Sequence, residues 1–193
     1  DNISVERPLE GQPDKVSEQS VLGNDNVASN ERATPETVQI EEIEISNVDP
    51  SGPAPDGKIS LDPATGKIVV KPGAPIGEYT VKYKIRPKES TSDADWITGE
   101  DKVKITPNFS VSDKDFTNPS VMTNQSPGVT KSVLDGDTLE GQPLTPADVT
   151  LTITDQPGIS ENVTFDDQGR LVIPQGTLSG TYTIRYKIKS NAY

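Results

Sequence analysis

The sequence contains an internal duplication, and this limits the fold to one that two successive, similar segments can each adopt. Residues 73–85 recur as 176–188, residues 20–25 as 132–137, and residues 34–38 as 145–149. The matching positions of the longest block are Gly73/Gly176, Gly77/Gly180, Tyr79/Tyr182, Thr80/Thr183, Tyr83/Tyr186, Lys84/Lys187 and Ile85/Ile188. Blocks that recur in one order along a chain are the signature of a repeat protein. The chain therefore consists of two copies of one module.

The first copy is longer than the second between its blocks. The run Asp-Pro-Ser-Gly-Pro-Ala-Pro-Asp-Gly at residues 49–57 lies in this interval. Because proline and glycine favour turns and loops, we expect this run to hold most of the extra residues as a loop.

Alternation of apolar and polar residues predicts that each copy is built from β-strands. It extends over residues 79–85, 103–105, 149–154 and 182–188. In residues 38–45 the alternation slips at Glu41 and Glu42, where a β-bulge would bring Ile43 and Ile45 back to the core face. Turn sequences at residues 62–66 and 166–169 predict hairpins. No segment has the periodicity of an amphipathic helix. The sequence thus predicts an all-β fold with about six or seven strands per module.

A Gly-X-Tyr sequence enters the same strand in both copies and indicates an immunoglobulin-like β-sandwich. In that fold a corner tyrosine stands at the start of strand F, which matches Tyr79 and Tyr182; the alternative is that both are ordinary strand tyrosines. We expect the first sandwich at residues 1–107 and the second at residues 108–193. The second stops just after its tyrosine strand, so it is predicted to lack its last strand.

Composition argues against several functional classes. The net charge is -12, whereas nucleic-acid binding needs clustered cations. The chain has no histidine and no cysteine, so the usual general base and every thiolate site are missing. Aromatic residues make up 5%, too few for an aromatic-lined glycosidase cleft. No segment approaches the ~20 apolar residues of a membrane span. These features predict a protein that is not an enzyme, binds no nucleic acid and does not insert into membranes.

The repeated motifs resemble repeats in very large cell-surface proteins of Bacteroidetes-type bacteria, of which the gliding-motility adhesins are the best known. The resemblance covers residues 20–105 and 132–188 and rests on Ser-Val-Leu with its Asn/Asp/Gly triplet, Thr-Pro-X-X-Val, an Asp…Gly turn and Gly-X-Tyr-Thr. It implies a secreted protein displayed on the bacterial surface, an immunoglobulin- or cadherin-like sandwich and a role in cell adhesion. The chain departs from the pattern at the second module's last strand and at residues 23–25, where Asp-Asn-Asp would be more usual.

Acidic loops are the candidate metal sites. Asp25, Asp135 and Asp137 offer the hard oxygen ligands that Ca²⁺ prefers, although a site would have to be assembled from separate loops because no EF-hand spacing is present. The alternative is that these residues only form turns. No other cofactor is expected.

Trp96, the single tryptophan, follows a polar run. We expect it to cap the core of the first module, with stacking on a bound ligand as the alternative.

The sequence favours a structural function. The first hypothesis is a stalk whose modules contact neighbouring repeats and project a distal binding domain. The alternatives are a binding module that recognises a glycan or an extracellular protein through Trp96 or the proline-rich loop, and an accessory module of a secreted polysaccharide-degrading enzyme.

Overall fold

The computed structural model of the chain describes residues 2–27, 31–116 and 126–193. The chain divides into two compact units, Asp1–Asn108 and Phe109–Tyr193. Apart from short 3₁₀ turns, every regular element in the described residues is a β-strand. The all-β prediction is confirmed.

The first unit is a sandwich of two main sheets. One sheet has the order β1-β9-β8-β5, in which β1 runs parallel to β9 and the other pairs are antiparallel. The second has the order β2-β7-β6, and β3 pairs with β4. The strands are β1 (Asn2–Glu6), β2 (Lys15–Ser20), β3 (Asn26–Val27), β4 (Glu31–Arg32), β5 (Val38–Asn47), β6 (Ile59–Asp62), β7 (Lys67–Val70), β8 (Gly77–Pro87) and β9 (Ile97–Thr106). One core cluster joins residues from both sheets, among them Ile68 of β7 and Val81 of β8. This is the arrangement of an immunoglobulin-like domain.

The second unit repeats part of this plan. Its sheet β11-β16-β15 corresponds to β2-β7-β6, and the pair β14-β17 corresponds to β5-β8. A small sheet has the order β10-β12-β13. The strands are β10 (Phe109–Ser110), β11 (Gly128–Ser132), β12 (Thr138–Leu139), β13 (Gln142–Pro143), β14 (Val149–Asp155), β15 (Thr164–Phe165), β16 (Arg170–Ile173) and β17 (Arg185–Ser190). Within residues 109–116 and 126–193 no strand pairs with β17 in the way that β9 pairs with β8.

The bulge in β5 lies one residue beyond its predicted position. Glu42 pairs with Tyr83 and Glu44 with Lys82, so Ile43 is the extra residue. The expectation that Ile43 faces the core is wrong: its side chain is 50% exposed. An unpaired bulge residue is turned away from the pleat, and here Oε2 of Glu42 instead accepts a hydrogen bond from the N–H of Leu61 at 2.6 Å.

The extra residues of the first copy are shared between a strand and a loop. β5 has ten residues and β14 seven, while the loops that follow them span residues 48–58 and 156–163. The proline-rich loop thus holds only part of the insertion. A second difference concerns the tyrosine strand of the second copy, which begins at Arg185 and not at the predicted Tyr182.

Candidate functional site

The repeated Ser-Val-Leu sequence anchors the hairpin turn between β6 and β7 in the first unit and between β15 and β16 in the second. In the first unit the Ser20 hydroxyl donates to the carbonyl of Gly66 at 3.0 Å, and the same carbonyl accepts from the N–H of Val21 at 2.8 Å. Gly66 has a φ of 66°, and a Cβ there would stand 2.4 Å from the Ser20 hydroxyl oxygen. The second unit makes the same contacts among Ser132, Val133 and Gly169. Two motifs far apart in sequence are therefore parts of one turn.

A buried hydroxyl that sequence reasoning missed also recurs in both units. The Ser17 hydroxyl oxygen accepts a hydrogen bond from the N–H of Ile68 at 2.9 Å, and that of Thr130 accepts from Leu171 at 3.0 Å. Each stands beside a bulge, and the bulge of β2 is one residue longer than that of β11. Ser17 and Thr130 therefore lie at different distances along the chain from the Ser-Val-Leu block of their copy, which is why the comparison of the two copies did not pair them.

Both candidate corner tyrosines make the hydrogen bond expected of that motif. The hydroxyl of Tyr79 donates to the carbonyl of Pro75 at 3.0 Å, and the hydroxyl of Tyr182 donates to the carbonyl of Leu178 at 2.8 Å. Each acceptor lies four residues upstream, as in an immunoglobulin-type tyrosine corner. Burial raises the pKa of the Tyr79 hydroxyl. These tyrosines fix the entry to their strands.

Asp25 contacts a buried tyrosine hydroxyl of the first unit. The Tyr83 hydroxyl is 2.8 Å from Oδ2 of Asp25, 3.3 Å from Oδ2 of Asp101 and 2.9 Å from the carbonyl oxygen of Val21. Tyr83 and Asp101 are 1% and 2% exposed. Burial, the hydrogen bond to Asp25 and the charge of Asp101 raise the pKa of Tyr83, and burial raises the pKa of Asp101. Asp25 itself is half-buried.

Asp137 occupies the place of Asp25 in the second unit but has different partners. Its Oδ1 accepts from Nζ of Lys114 at 2.5 Å and from the N–H of Ser112 at 3.1 Å. Oδ2 is buried and has no hydrogen-bond partner in the described part of the chain. Asp135, two residues away, is exposed. The two aspartates of this loop thus do not converge on one point.

The described residues contain no group of three or more acidic side chains placed to hold a metal ion. Asp25 and Asp135 belong to different units, so the three predicted ligands do not form a single cluster within either one. The half-buried Asp25 and the buried Asp137 contact a tyrosine hydroxyl and a lysine, respectively.

Trp96 lies on the outer face of the larger sheet of the first unit and not over its core, so the expectation of a core cap is wrong. Nζ of Lys84 is 4.7 Å and Cζ of Arg86 4.5 Å from the centroid of its ring. Both cations come from outward-facing positions of β8, between core residues such as Ile85. The cations are held in turn by Glu41, 3.1 Å from Lys84, and by Gln39, 2.9 Å from Arg86. This network, which we call the Trp96 clamp, fastens the loop between β8 and β9 to the sheet.

The surface of the described residues includes two depressions that could be compared with ligand pockets. One, of about 180 Å³, lies beside the corner tyrosine Tyr182 and contains one carboxylate, Glu161. It is smaller than the ~300–1,000 Å³ of typical ligand pockets. The other, of about 460 Å³, is lined by Asn2, Gln19, Ser20, Gly23 and Arg32. Neither joins an acid to a base in the way that catalysis requires.

No protein-family model and no curated protein matches the chain, and no helix in the described residues has the length and apolar character of a membrane span. Solved structures similar to the chain include extracellular cadherin domains. The chain is 12% identical to protocadherin gamma B7 EC3-6, covering 98% of this chain and 44% of that one with a TM-score of 0.32. It is 14% identical to the human desmocollin-1 ectodomain, covering 92% and 33% with a TM-score of 0.35. It is 16% identical to human protocadherin-24 EC1-2, covering 79% and 70% with a TM-score of 0.29. The chain thus spans less than half the length of the first two.

Proposed function

We propose that the two units are non-catalytic stalk modules of a secreted bacterial surface adhesin. One observation carries this proposal. The two units make the same internal contacts, through the serine at the hairpin and the corner tyrosine, which the duplication has kept, and through a buried hydroxyl beside the bulge, which is a serine in one unit and a threonine in the other. What is repeated is therefore the scaffold.

The divergent positions support the same proposal. The aspartate of the repeated loop keeps its place but has a tyrosine partner in the first unit and a lysine, Lys114, in the second. A ligand shared by both modules would require the same exposed groups in each, whereas a scaffold requires only that the carboxylate have a partner, most of all where it is buried, as at Asp137. The net charge of -12 favours solubility in a chain of many modules.

A ligand-binding role for the first unit is the second candidate, and the Trp96 clamp is the observation that favours it. Trp96 is half-buried, and Ile97 beside it is 62% exposed. An aromatic ring with flanking cations could receive an acidic glycan or an acidic segment of an extracellular protein. The network of Glu41 and Gln39 that already holds those cations favours a structural role for the ring.

The test compares the purified chain with a Trp96→Ala variant on a panel of glycans and extracellular-matrix proteins. If the units are stalk modules, neither protein binds any member of the panel above background. A single-domain antibody fused to the chain, and attached to beads through it, should then capture its antigen as well as the antibody does without the chain. Specific binding that disappears in Trp96→Ala would reject the stalk hypothesis in favour of a binding module. Binding that survives the substitution would place a ligand elsewhere and would equally reject a pure stalk.

A further inference from the structure

Lys114 and Asp137 form a buried ion pair in the second unit. Nζ of Lys114 is 2.5 Å from Oδ1 of Asp137, and the two side chains are 11% and 0% exposed. By contrast, Lys84 and Glu41 of the first unit, 3.1 Å apart, are 28% and 57% exposed. The amine and the carboxyl group of the second unit are therefore held together where water has little access.

The protein satisfies the carboxylate of this pair only in part. An ionised carboxylate offers about four acceptor sites. Oδ1 of Asp137 accepts from Nζ of Lys114 and, at 3.1 Å, from the N–H of Ser112. Oδ2 is buried and has no hydrogen-bond partner in the described part of the chain. Because a buried ion pair needs its remaining acceptor sites filled, the charged form of this pair is disfavoured.

The distance between the two groups suits their condensation to an amide. One carbon–oxygen bond separates Oδ1 of Asp137 from its Cγ, so Nζ of Lys114 is at most about 3.7 Å from Cγ. Reacting atoms held at about 3–3.5 Å gain effective concentrations on the order of 10⁵–10⁸ M. The backbone of Asp137 is also fixed, since its N–H donates to Leu134 at 3.0 Å and its carbonyl accepts from Leu144 at 3.0 Å.

The hydroxyl of Ser112 provides a path for protons between the two groups. Its oxygen accepts from Nζ of Lys114 at 2.7 Å and donates to Oδ1 of Asp137 at 3.3 Å. One proton passes directly from Nζ to Oδ1 along their own hydrogen bond, and a second can follow through this hydroxyl. Both protons needed to release Oδ1 as water thus have a route within these three residues.

We propose that the second unit forms an intramolecular amide bond between Nζ of Lys114 and Cγ of Asp137. A proton passes from the ammonium group to Oδ1, and the neutral amine attacks Cγ. A second proton then leaves Nζ, and Oδ1 departs as water while the C–N bond stays. The ammonium group loses two protons and the carboxylate one oxygen, so no other reactant is consumed. Because the amide is uncharged, the reaction removes both buried charges, which are costly without full pairing.

The first unit offers a phenol where the second offers an amine. Asp25 holds the place of Asp137, and its Oδ2 accepts from the hydroxyl of Tyr83 at 2.8 Å. A neutral phenol is a weak nucleophile, so we expect no bond there. In the second unit the amide fastens residues 109–114, which include β10, to the loop between β11 and β12. The duplicated modules thus differ in one covalent link.

Mass spectrometry of the purified full chain, incubated at neutral pH until its mass is constant, tests the proposal. The amide makes the chain lighter than its sequence mass by about 18 Da, the mass of one water. Trypsin can no longer cleave after Lys114, so a tryptic digest contains residues 105–131 joined to residues 132–170. Apart from their last residues, these two segments contain no lysine or arginine other than Lys114. Cleavage after Lys84, whose ion pair is exposed, is the internal control and should be normal.

The matched control is Lys114→Arg, which keeps the positive charge and removes the amine. This variant should have its full sequence mass and release residues 105–114 and 132–170 as separate peptides. A wild-type chain of full mass would overturn the proposal, whether or not the variant folds. A loss of about 18 Da without joined peptides, as cyclisation of an Asp-Gly sequence to a succinimide gives, would overturn it too. The outcome does not depend on the stalk function, because a module with or without a ligand can carry this bond.

Discussion

The hydroxyl of Tyr83 donates to Oδ2 of Asp25 over 2.8 Å, and this bond ties β8 to the loop that follows β2. Replacing Tyr83 by phenylalanine leaves the ring in place and removes the donor. A hydrogen bond to a charged group contributes about 1.5–3 kcal/mol, so we expect Tyr83→Phe to lower the free energy of unfolding of the first unit by about that amount in urea denaturation. Tyr186→Phe is the control and should cost less than about 0.5 kcal/mol. Equal costs would show that the bond to Asp25 contributes nothing.

Alkaline pH is expected to destabilise the first unit through the same tyrosine. Burial, together with Asp25 and Asp101, raises the pKa of Tyr83 far above its ordinary 10.0. The neutral phenol therefore stabilises the folded unit below about pH 10, and this stability is lost as the pH rises from 10 toward the folded pKa. Urea denaturation at a series of pH values should show unfolding free energy falling above pH 10, and falling less steeply in Tyr83→Phe. Parallel curves would contradict the assignment.

The buried hydroxyls of Ser17 and Thr130 are expected to matter equally in the two units. Ser17→Ala and Thr130→Val leave the N–H groups of Ile68 and Leu171 buried without an acceptor, at a cost of about 1–3 kcal/mol each. Thermal denaturation checks this, with Ser4→Ala as the control because Ser4 is exposed. If both variants have the same melting temperature as Ser4→Ala, the N–H groups of Ile68 and Leu171 have found other acceptors.

Loss of the tryptophan ring is expected to free the loop between β8 and β9. Trp96→Ala removes the contacts of Lys84 and Arg86 with the ring, which are worth about 0.5–1 kcal/mol each at an exposed site. We expect a small loss of stability and faster proteolytic cleavage within residues 88–96. Trp96→Phe, which keeps an aromatic face, should be intermediate. Cleavage at the wild-type rate in Trp96→Ala would mean that the ring does not hold the loop.

Calcium and its removal are expected to leave the melting temperature of both units unchanged. Ca²⁺ needs six to eight oxygen ligands, but Oδ1 of Asp137 is paired with Lys114 and Oδ2 of Asp25 with Tyr83. Differential scanning calorimetry in calcium or chelator at about 1 mM or above, which exceeds the dissociation constants of weak extracellular sites, tests this. A lower midpoint in chelator would support Asp25, Asp135 and Asp137 as calcium ligands.

The fold class was largely predictable from the sequence, because alternation of apolar and polar residues, together with the same turns in both copies, leaves few folds other than a repeated β-sandwich. The corner tyrosines could be found because their role depends on a local sequence, Gly-X-Tyr. Ile43 was misplaced because a one-residue shift of a bulge reverses which side chains face the core. Trp96 was misplaced because burial of a lone aromatic residue depends on its partners, and the cations that hold it, Lys84 and Arg86, lie on another strand.

The polar contacts were the least predictable part of the candidate site. The bond between Tyr83 and Asp25 joins residues far apart in the chain, and nothing in either local sequence indicates it. In the second unit the corresponding carboxylate, Asp137, pairs with Lys114 and not with a tyrosine. The two copies share the carboxylate but not its partner, so comparing them does not reveal the contact.

The parallel pairing of β1 with β9 gives the first unit a mechanical property. The two strands are in register from Asn2 beside Lys102 to Glu6 beside Thr106. The chain enters along β1 and leaves along β9, so tension along the chain pulls the two strands past one another. Their hydrogen bonds are then loaded together in shear, whereas an antiparallel hairpin pulled at its ends opens one bond at a time. Because forced unfolding is governed by the unfolding rate, this unit is expected to resist stretching even at modest equilibrium stability.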